Sequence, residues 1–160
     1  MIAYSEALQN LLDAAMPLPA EHLPLHEAGG RTLASDIISG QSLPPFDNSA
    51  MDGFALRADG ATFEAGTEFG VQGWQAAGDA GAEGGEGAWE IMTGARMPVG
   101  LDTVVPVENV EILSSEDGRP TRIALNGLVK PGQNVRLRGE DVSEGERVLQ
   151  AGQVLDINAR

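Results

Sequence analysis

The segment 43–56, LPPFDNSAMDGFAL, combines two aspartates with residues that normally build a turn. Its two prolines favour an extended entry, and Asp47, Asn48 and Ser49 carry side chains that bond nearby backbone N–H groups. The spacing from Ser49 to Asp52 is that of a loose capping box, with Asp where Glu is usual. We interpret the segment as a structural turn in which Asp52 is the residue that this account explains least.

A second segment, IMTGARMPVGLDTVVPVENV (91–110), places Thr93 and Gly94 at the end of a predicted strand. A hydroxyl residue followed by glycine at a strand end can present an O–H and free backbone N–H groups to an anion. A turn at a strand end needs the same residues for geometry alone. Local sequence leaves both interpretations open.

A third segment, VKPGQNVRLRGEDVSEGE (129–146), alternates apolar residues with Arg136 and Arg138. A strand there would place both arginines on one face. The carboxylates Glu140 and Asp141 follow directly after a glycine. The segment therefore predicts guanidinium and carboxylate groups side by side.

The cations of the chain are concentrated near this third segment. Five of the ten Lys and Arg residues lie between positions 119 and 138, in a chain with 24 Asp and Glu and a formal net charge of −14. Such an island can hold a phosphate through forked guanidinium contacts, or it can be a solvated strand face beside its counter-ions. Both interpretations stay open for the five residues, which are Arg119, Arg122, Lys130, Arg136 and Arg138.

Composition excludes several classes of function. The chain has no cysteine, and therefore no thiolate nucleophile, disulfide or cysteine-based zinc site. Its acidity predicts that it binds neither nucleic acid nor an anionic membrane. No signal peptide or apolar run of membrane length is visible, so we expect a cytoplasmic protein.

The sequence lacks the common catalytic motifs. It has no Gly-rich phosphate loop, no Rossmann fingerprint and no plausible Ser-His-Asp set. His22 and His26 have the spacing of metal ligands on a helix, but Pro24 between them argues against a helix, and we interpret both as ordinary histidines. A metal would then be a hard cation on carboxylates and phosphates, most simply Mg²⁺.

The elements that must position these groups are short. One helix is predicted over Ser5–Ala15, with Ser5 as N-cap and with Pro17 and Pro19 ending it. Its apolar stripe needs a packing partner. The stripe consists of Tyr4, Leu8, Leu11, Leu12 and Ala15.

The rest of the chain predicts a β-rich fold of short antiparallel strands. Between His22 and Ile38 we expect a short strand, a Gly29-Gly30 turn and a second short element. The Gly- and acid-rich stretch Ala76–Ala88 predicts a flexible loop. Seven strands are predicted after residue 53, at Phe54–Arg57, Phe69–Trp74, Trp89–Met92, Thr103–Val110, Thr121–Leu125, Asn134–Leu137 and Arg147–Leu149.

Together, the first two segments and the third, extended to VKPGQNVRLRGEDVSEGERVLQAGQVL (129–155), resemble the N-terminal region of molybdopterin molybdenumtransferase, the MoeA and gephyrin E-domain family. The order Pro-Pro-Phe-Asp-Asn-Ser-Ala-Met-Asp-Gly in the first segment is highly specific, and the weaker HEAGGRTLASDIISG fits the usual place before it. The resemblance implies an α+β, mostly β fold. A helix and stem (1–38 and 146–160) would carry an inserted β-rich lid domain (39–145) of short twisted antiparallel strands.

The resemblance also implies a reaction and a set of site residues. Molybdate is inserted into the dithiolene of adenylylated molybdopterin, and the adenylate is cleaved with help from a divalent cation, Mg²⁺. Asp52, Thr93 and Asp141 match the catalytic positions, and the two aspartates match candidate metal ligands. The substrate-binding positions correspond to Ser49, Arg136 and Arg138.

The resemblance implies partners as well. Family members are dimers in which this region of one subunit faces a pterin-binding domain of the other, and a molybdopterin adenylyltransferase is a further expected partner. We expect the chain to be an N-terminal portion that lacks the pterin-binding and C-terminal β-barrel domains and is inactive alone. The alternative is a non-catalytic scaffold module of the gephyrin type.

Overall fold

A computed structural model describes residues 2–16 and 18–156, and its chain divides into two compact units. One unit comprises Met1–Ile37 and Leu149–Arg160, and the other comprises Ile38–Val148. Pro17, predicted to help end the helix, and positions 157–160 of the predicted stem lie outside the described residues. The described residues include no helix with the length and apolar character needed to cross a membrane.

The fold is mostly β with one α-helix, which confirms the predicted class. The helix α1 spans Tyr4–Ala14, and short 3₁₀ turns span Leu25–Glu27 and Val107–Asn109. The strands are β1 (Ile37–Ile38), β2 (Asn48–Ser49), β3 (Gly53–Leu56), β4 (Glu68–Gln75), β5 (Ala88–Ile91), β6 (Thr103–Pro106), β7 (Val110–Glu116), β8 (Arg119–Leu125), β9 (Val135–Arg136) and β10 (Arg147–Leu149).

The helix α1 carries its apolar stripe on an exposed surface. None of its residues is buried, and Tyr4 and Leu11 are 83% and 71% exposed. The prediction of Ser5 as N-cap is wrong, because the helix starts one residue earlier and Ala3, which has no capping side chain, holds that position. In the same unit, the segments 31–33 and 153–155 pair through backbone hydrogen bonds, with an antiparallel bridge between Thr32 and Val154.

The larger unit is built on a six-stranded sheet with the order β6-β3-β5-β4-β8-β7. The strand β3 lies between β6 at the sheet edge and β5, and all four of its residues are buried. Because side chains alternate along a strand, Phe54 and Leu56 pack into one apolar cluster and Ala55 into another. The residues that precede β3 are therefore attached to a strand that is covered on both faces. Two smaller sheets pair β1 with β10 and β2 with β9.

The pairing of β4 with β5 is parallel, whereas only antiparallel strands were predicted. Parallel neighbours need a connection of about a dozen residues or more, and the loop 76–87 is long enough to carry the chain back. The prediction of a loop in this stretch is confirmed, although Ala88 already belongs to β5. The loop is anchored by Gly84 N–H to Val99 O (3.0 Å) and Val99 N–H to Ala82 O (2.9 Å), and its flexibility stays a prediction.

Two strand predictions were wrong in detail. The predicted strand Thr103–Val110 is interrupted after Pro106, where the N–H of Val107 donates to the carbonyl of Asp52 (3.0 Å) and a 3₁₀ turn follows. The strand expected soon after His22 is absent from the described residues, which form only the 3₁₀ turn Leu25–Glu27 there.

Glycine at position 53 is required by close packing against the edge strand β6. A Cβ atom at Gly53 would lie 1.9 Å from the carbonyl oxygen of Val105, a backbone atom that cannot rotate away. We predict that Gly53→Ala lowers the free energy of unfolding by about 3 kcal/mol or more, because the paired strands must separate. Urea denaturation measures this.

Gly70 in β4 is the matched control, since a Cβ there meets no atom within 4 Å. Gly70→Ala should change stability by less than about 1 kcal/mol. If both substitutions lowered the free energy of unfolding equally, the close approach to Val105 would not be what requires glycine at position 53.

Candidate functional site

The register between β3 and β5 brings two of the predicted catalytic residues together. Gly53 pairs with Ile91 in this antiparallel ladder, so the residue before Gly53 lies beside the residues that follow Ile91. The backbone N–H of Thr93 donates to Asp52 Oδ1 at 2.7 Å, and Thr93 Oγ1 donates to the same oxygen at 2.8 Å. Two residues 41 positions apart thus form one hydrogen-bonded unit.

These hydrogen bonds favour the ionised form of Asp52. The backbone N–H of Thr93, followed by its hydroxyl, lowers the pKa of the Asp52 carboxyl below its ordinary value. The side chain is exposed, and no described residue donates a hydrogen bond to its second oxygen, Oδ2. Asp52 therefore presents an oriented, charged oxygen to solvent.

Ser49 lies close in sequence but is differently engaged. It is 1% exposed, its hydroxyl donates to the carbonyl of Met51 (2.6 Å), and the N–H of Met51 donates back to Ser49 Oγ (3.2 Å). The suggested capping box is wrong, because Ser49 belongs to β2 and residues 50–52 form a bend and not the first turn of a helix. The substrate-binding role of Ser49 stays a prediction, and the contacts here are those of a turn.

Arg136 and Asp141 form the second hydrogen-bonded pair of the site. Arg136 lies in β9 opposite Asn48 of β2, and its guanidinium donates to Asp141 Oδ1. This hydrogen bond, together with the charge of Asp141, raises the pKa of Arg136 above its ordinary value. The segment 129–146 is thus paired with the segment 43–56 through the β2–β9 ladder.

Arg138 does not share a strand face with Arg136, and that prediction is wrong. The strand β9 ends at Arg136, because the N–H of Arg138 donates to the carboxylate of Asp47 (2.7 Å) and not to a strand partner. The Arg138 guanidinium lies 3.7 Å from Glu144. Its role toward a substrate stays a prediction.

The remaining arginines of the basic island have counter-ions. Arg122 lies 2.6 Å from Glu68, and Arg119 lies 3.9 Å from Glu90 with its guanidinium over the ring of Trp74. Both belong to β8, in the six-stranded sheet. For these two residues the geometry favours the interpretation of a solvated strand face.

The carboxylates could supply only part of a metal site. Within the described ranges, no group of three or more His, Asp or Glu side chains is arranged to hold a metal ion. Asp52 and Asp141 offer the exposed oxygens that Mg²⁺ prefers, and Mg²⁺ commonly completes its shell with water and phosphate oxygens. Their role as metal ligands stays a prediction, and a metal there would need donors from a substrate, water or another protein region.

Arg96 belongs to the same neighbourhood, although it was not among the predicted site residues. An antiparallel bridge joins it to Asn48, on the side of β2 that faces away from β9. Its guanidinium carbon lies 4.3 Å from the centre of the Phe46 ring. The sequence feature that could have pointed to Arg96 is its position three residues after Thr93, between Gly94 and Pro98.

Comparison with known proteins assigns the chain to a family. Residues 2–159 match the profile of the MoeA N-terminal region (domain I and II), and the chain belongs to that family. This confirms the resemblance drawn from the three segments.

Two curated relatives carry the name molybdopterin molybdenumtransferase. The relative from Haemophilus influenzae is 39% identical over 155 residues, which cover 95% of this chain and 37% of the relative. The relative from Synechococcus elongatus is 38% identical, with 97% of this chain and 39% of the relative covered. The chain therefore spans about two fifths of their length.

A solved structure confirms the fold. The crystal structure of the molybdopterin biosynthesis MoeA protein from Pyrococcus horikoshii OT3 superposes with a TM-score of 0.83 at 38% identity. The match covers 99% of this chain and 42% of that one.

The two hydrogen bonds from Thr93 can be separated experimentally. We predict that Thr93→Val raises the pKa of Asp52 part of the way to its ordinary value, because the hydroxyl is lost and the stronger backbone donor stays. Carbon-detected NMR titration of the Asp52 carboxyl measures this.

The direction in which folding stability changes with pH follows from the lowered pKa of Asp52. The Thr93 hydrogen bonds stabilise the folded chain above the ordinary carboxyl pKa, and that stabilisation is lost as the pH falls through the lowered value. Thr121→Val, which removes a hydroxyl bonded to Ser114, is the control and should leave the Asp52 titration unmoved. An unchanged Asp52 pKa in Thr93→Val would contradict the assigned contact.

Proposed function

We propose that this chain is the N-terminal part of a molybdenum cofactor biosynthesis enzyme that inserts molybdate into adenylylated molybdopterin with cleavage of the adenylate. Family membership and the names of the relatives support this proposal. The observation that carries it is the Asp52–Thr93 unit, in which a carboxylate is kept ionised, oriented and exposed.

Asp52 has the features of a group that acts at a phosphoanhydride. Its Oδ2 can accept a proton from an attacking water or bind a cation, while Thr93 holds Oδ1 and so sets the direction of the carboxylate. A bound Mg²⁺ would offset phosphate charge and act as a Lewis acid there, with Asp52 and Asp141 as its protein ligands.

Arg136 and Asp141 would act as a pair. The guanidinium has further N–H donors beyond the one that Asp141 accepts, and these can bind phosphate oxygens. Asp141 in turn limits the orientations of the arginine. Arg138, held to Asp47 through its backbone, places a second cation after the same strand.

The substrate must also be bound from another region. The chain spans about two fifths of its relatives' length, and no described residue group forms a complete metal site. We propose that the pterin is bound by a further domain and that a homodimer brings that domain to this region. A cytoplasmic location and contact with a molybdopterin adenylyltransferase belong to the same proposal.

The test uses a chimera in which this chain replaces the corresponding region of the Haemophilus influenzae relative. We predict that Asp52→Asn lowers molybdate-dependent cofactor formation by about a hundredfold or more, because the amide keeps the shape but loses the charge and basicity. The assay follows cofactor formation and adenylate release against the unsubstituted chimera.

The matched control is Asp117→Asn, an exposed acid in the turn between β7 and β8 at a positive φ of 50° that asparagine also adopts. It should retain activity within about twofold, since it touches none of the site. Unchanged turnover in Asp52→Asn would rule out the catalytic assignment.

A further inference from the structure

A small ladder places two arginines on either side of one asparagine. Asn48 of β2 lies opposite Arg136 on one side and opposite Arg96 on the other. Residues directly opposite each other in antiparallel strands project their side chains to the same face. Arg96, Asn48 and Arg136 therefore form a row across three neighbouring segments.

Backbone hydrogen bonds hold the segment of Arg96 in this register. The N–H of Ser49 donates to Ala95 O (3.0 Å), the N–H of Gly94 donates to Ser49 O (2.8 Å), and the N–H of Met97 donates to Asp47 O (2.9 Å). Ser49, the next residue along β2, is buried on the opposite face. Asn48 is itself buried at 8% exposure, whereas Arg96 is exposed and Arg136 is half-buried, so the two arginines of the row reach solvent.

Arg96 is oriented by contacts that leave its hydrogen-bond donors free. Its guanidinium carbon lies over the Phe46 ring, 4.3 Å from the ring centre, and this cation–π contact uses none of the N–H donors in a hydrogen bond. Its stem runs close to the glycine-rich loop, where a Cβ at Gly81 would lie 3.1 Å from Arg96 Cδ. No described residue accepts a hydrogen bond from the Arg96 side chain.

Arg96 also lacks the counter-ion that its neighbours have. The guanidinium of Arg136 is paired with Asp141 and that of Arg138 with Glu144, whereas no described carboxylate lies within 4.0 Å of Arg96. In a chain with a net charge of −14, an oriented guanidinium without a carboxylate partner is available to receive an anion. Glu140 and Asp141 offset the charge of Arg136, so the uncompensated positive charge of the row is that of Arg96.

We propose that Arg96 is a phosphate-binding residue, and that with Arg136 it holds the phosphoanhydride of the adenylylated substrate, an inference that rests on the proposed function. The outer segments of three adjacent strands lie about 10 Å apart, a span over which two arginine side chains can converge on a diphosphate. Phe46 and Gly81 position Arg96 before the anion arrives, which reduces the ordering cost of binding.

The experiment titrates the 160-residue chain with inorganic pyrophosphate, free of divalent cations, and follows backbone amide shifts and heat of binding. We expect saturable binding with shifts centred on the row. Arg96→Gln should weaken it about tenfold or more, because a charge-assisted forked contact is lost. Arg96→Lys keeps the charge but loses the forked donor geometry. Its pyrophosphate affinity should lie between those of the unsubstituted chain and Arg96→Gln.

The matched control is Arg122→Gln, which removes the same charge from an arginine that is paired with Glu68 in the six-stranded sheet. It should change pyrophosphate affinity by less than about twofold, and undisturbed amide spectra establish that each variant is folded. Equal weakening by Arg96→Gln and Arg122→Gln, or no saturable binding to the unsubstituted chain, would overturn the proposal.

The outcome is distinguishable from a failure of the proposed function. If the chain binds pyrophosphate through Arg96 but the chimera inserts no molybdenum, the anion site is supported and the proposed reaction is contradicted. If the chimera is active but Arg96→Gln leaves the pyrophosphate affinity of the chain unchanged, only the anion site is contradicted.

Discussion

The antiparallel register of β3 against β5 is the constraint on which the candidate site depends. Gly53 can stand opposite Ile91 only because it has no side chain to meet the backbone of Val105 on its other side. With that register set, Asp52 is one residue from a buried strand and Thr93 is two residues from its partner. A slip by one position would turn Phe54 out of its cluster and separate Asp52 from Thr93, so core packing and site geometry are specified together.

The same segment serves a second ladder immediately before this one. The strand β2 pairs with β9 on one side and with the residues around Arg96 on the other. Only three residues, Ala50 to Asp52, separate β2 from β3. One short stretch therefore joins the carboxylate held by Thr93 to the row of arginines, and the chemistry of the site follows from backbone pairing more than from contacts between side chains.

Sequence reasoning predicted the class of fold and several elements but not the details of pairing. The core strands could be predicted because their apolar patterns reflect burial, whereas the helix was predicted from the helical spacing of an apolar stripe that is exposed in the structure. The strand β7 was missed because it is mostly polar and exposed, although the Asp117-Gly118 turn, with φ values of 50° and 79°, is a strong hairpin signal. The capping box at Ser49 failed because a loop and a helix start use the same side-chain chemistry.

The site residues were predicted by resemblance and not by spacing. Asp52 and Thr93 are 41 positions apart, and no local periodicity links them. Alternation wrongly placed Arg138 on the face of Arg136, since the pattern of side chains does not show that Asp47, 91 positions away, takes the N–H of Arg138. Arg96 was overlooked because its cross-strand neighbour exists only in the folded chain.

The central claim is that Asp52 acts through the orientation that Thr93 imposes, and a double-mutant cycle on molybdate insertion tests it most directly. Asp52→Asn, Thr93→Val and the double variant would be compared in the chimeric enzyme at a pH well above the ordinary carboxyl pKa. The account predicts strong non-additivity, with Thr93→Val costing little further activity once Asp52 has lost its charge. Additive losses would contradict it, because they would show that the two residues act independently.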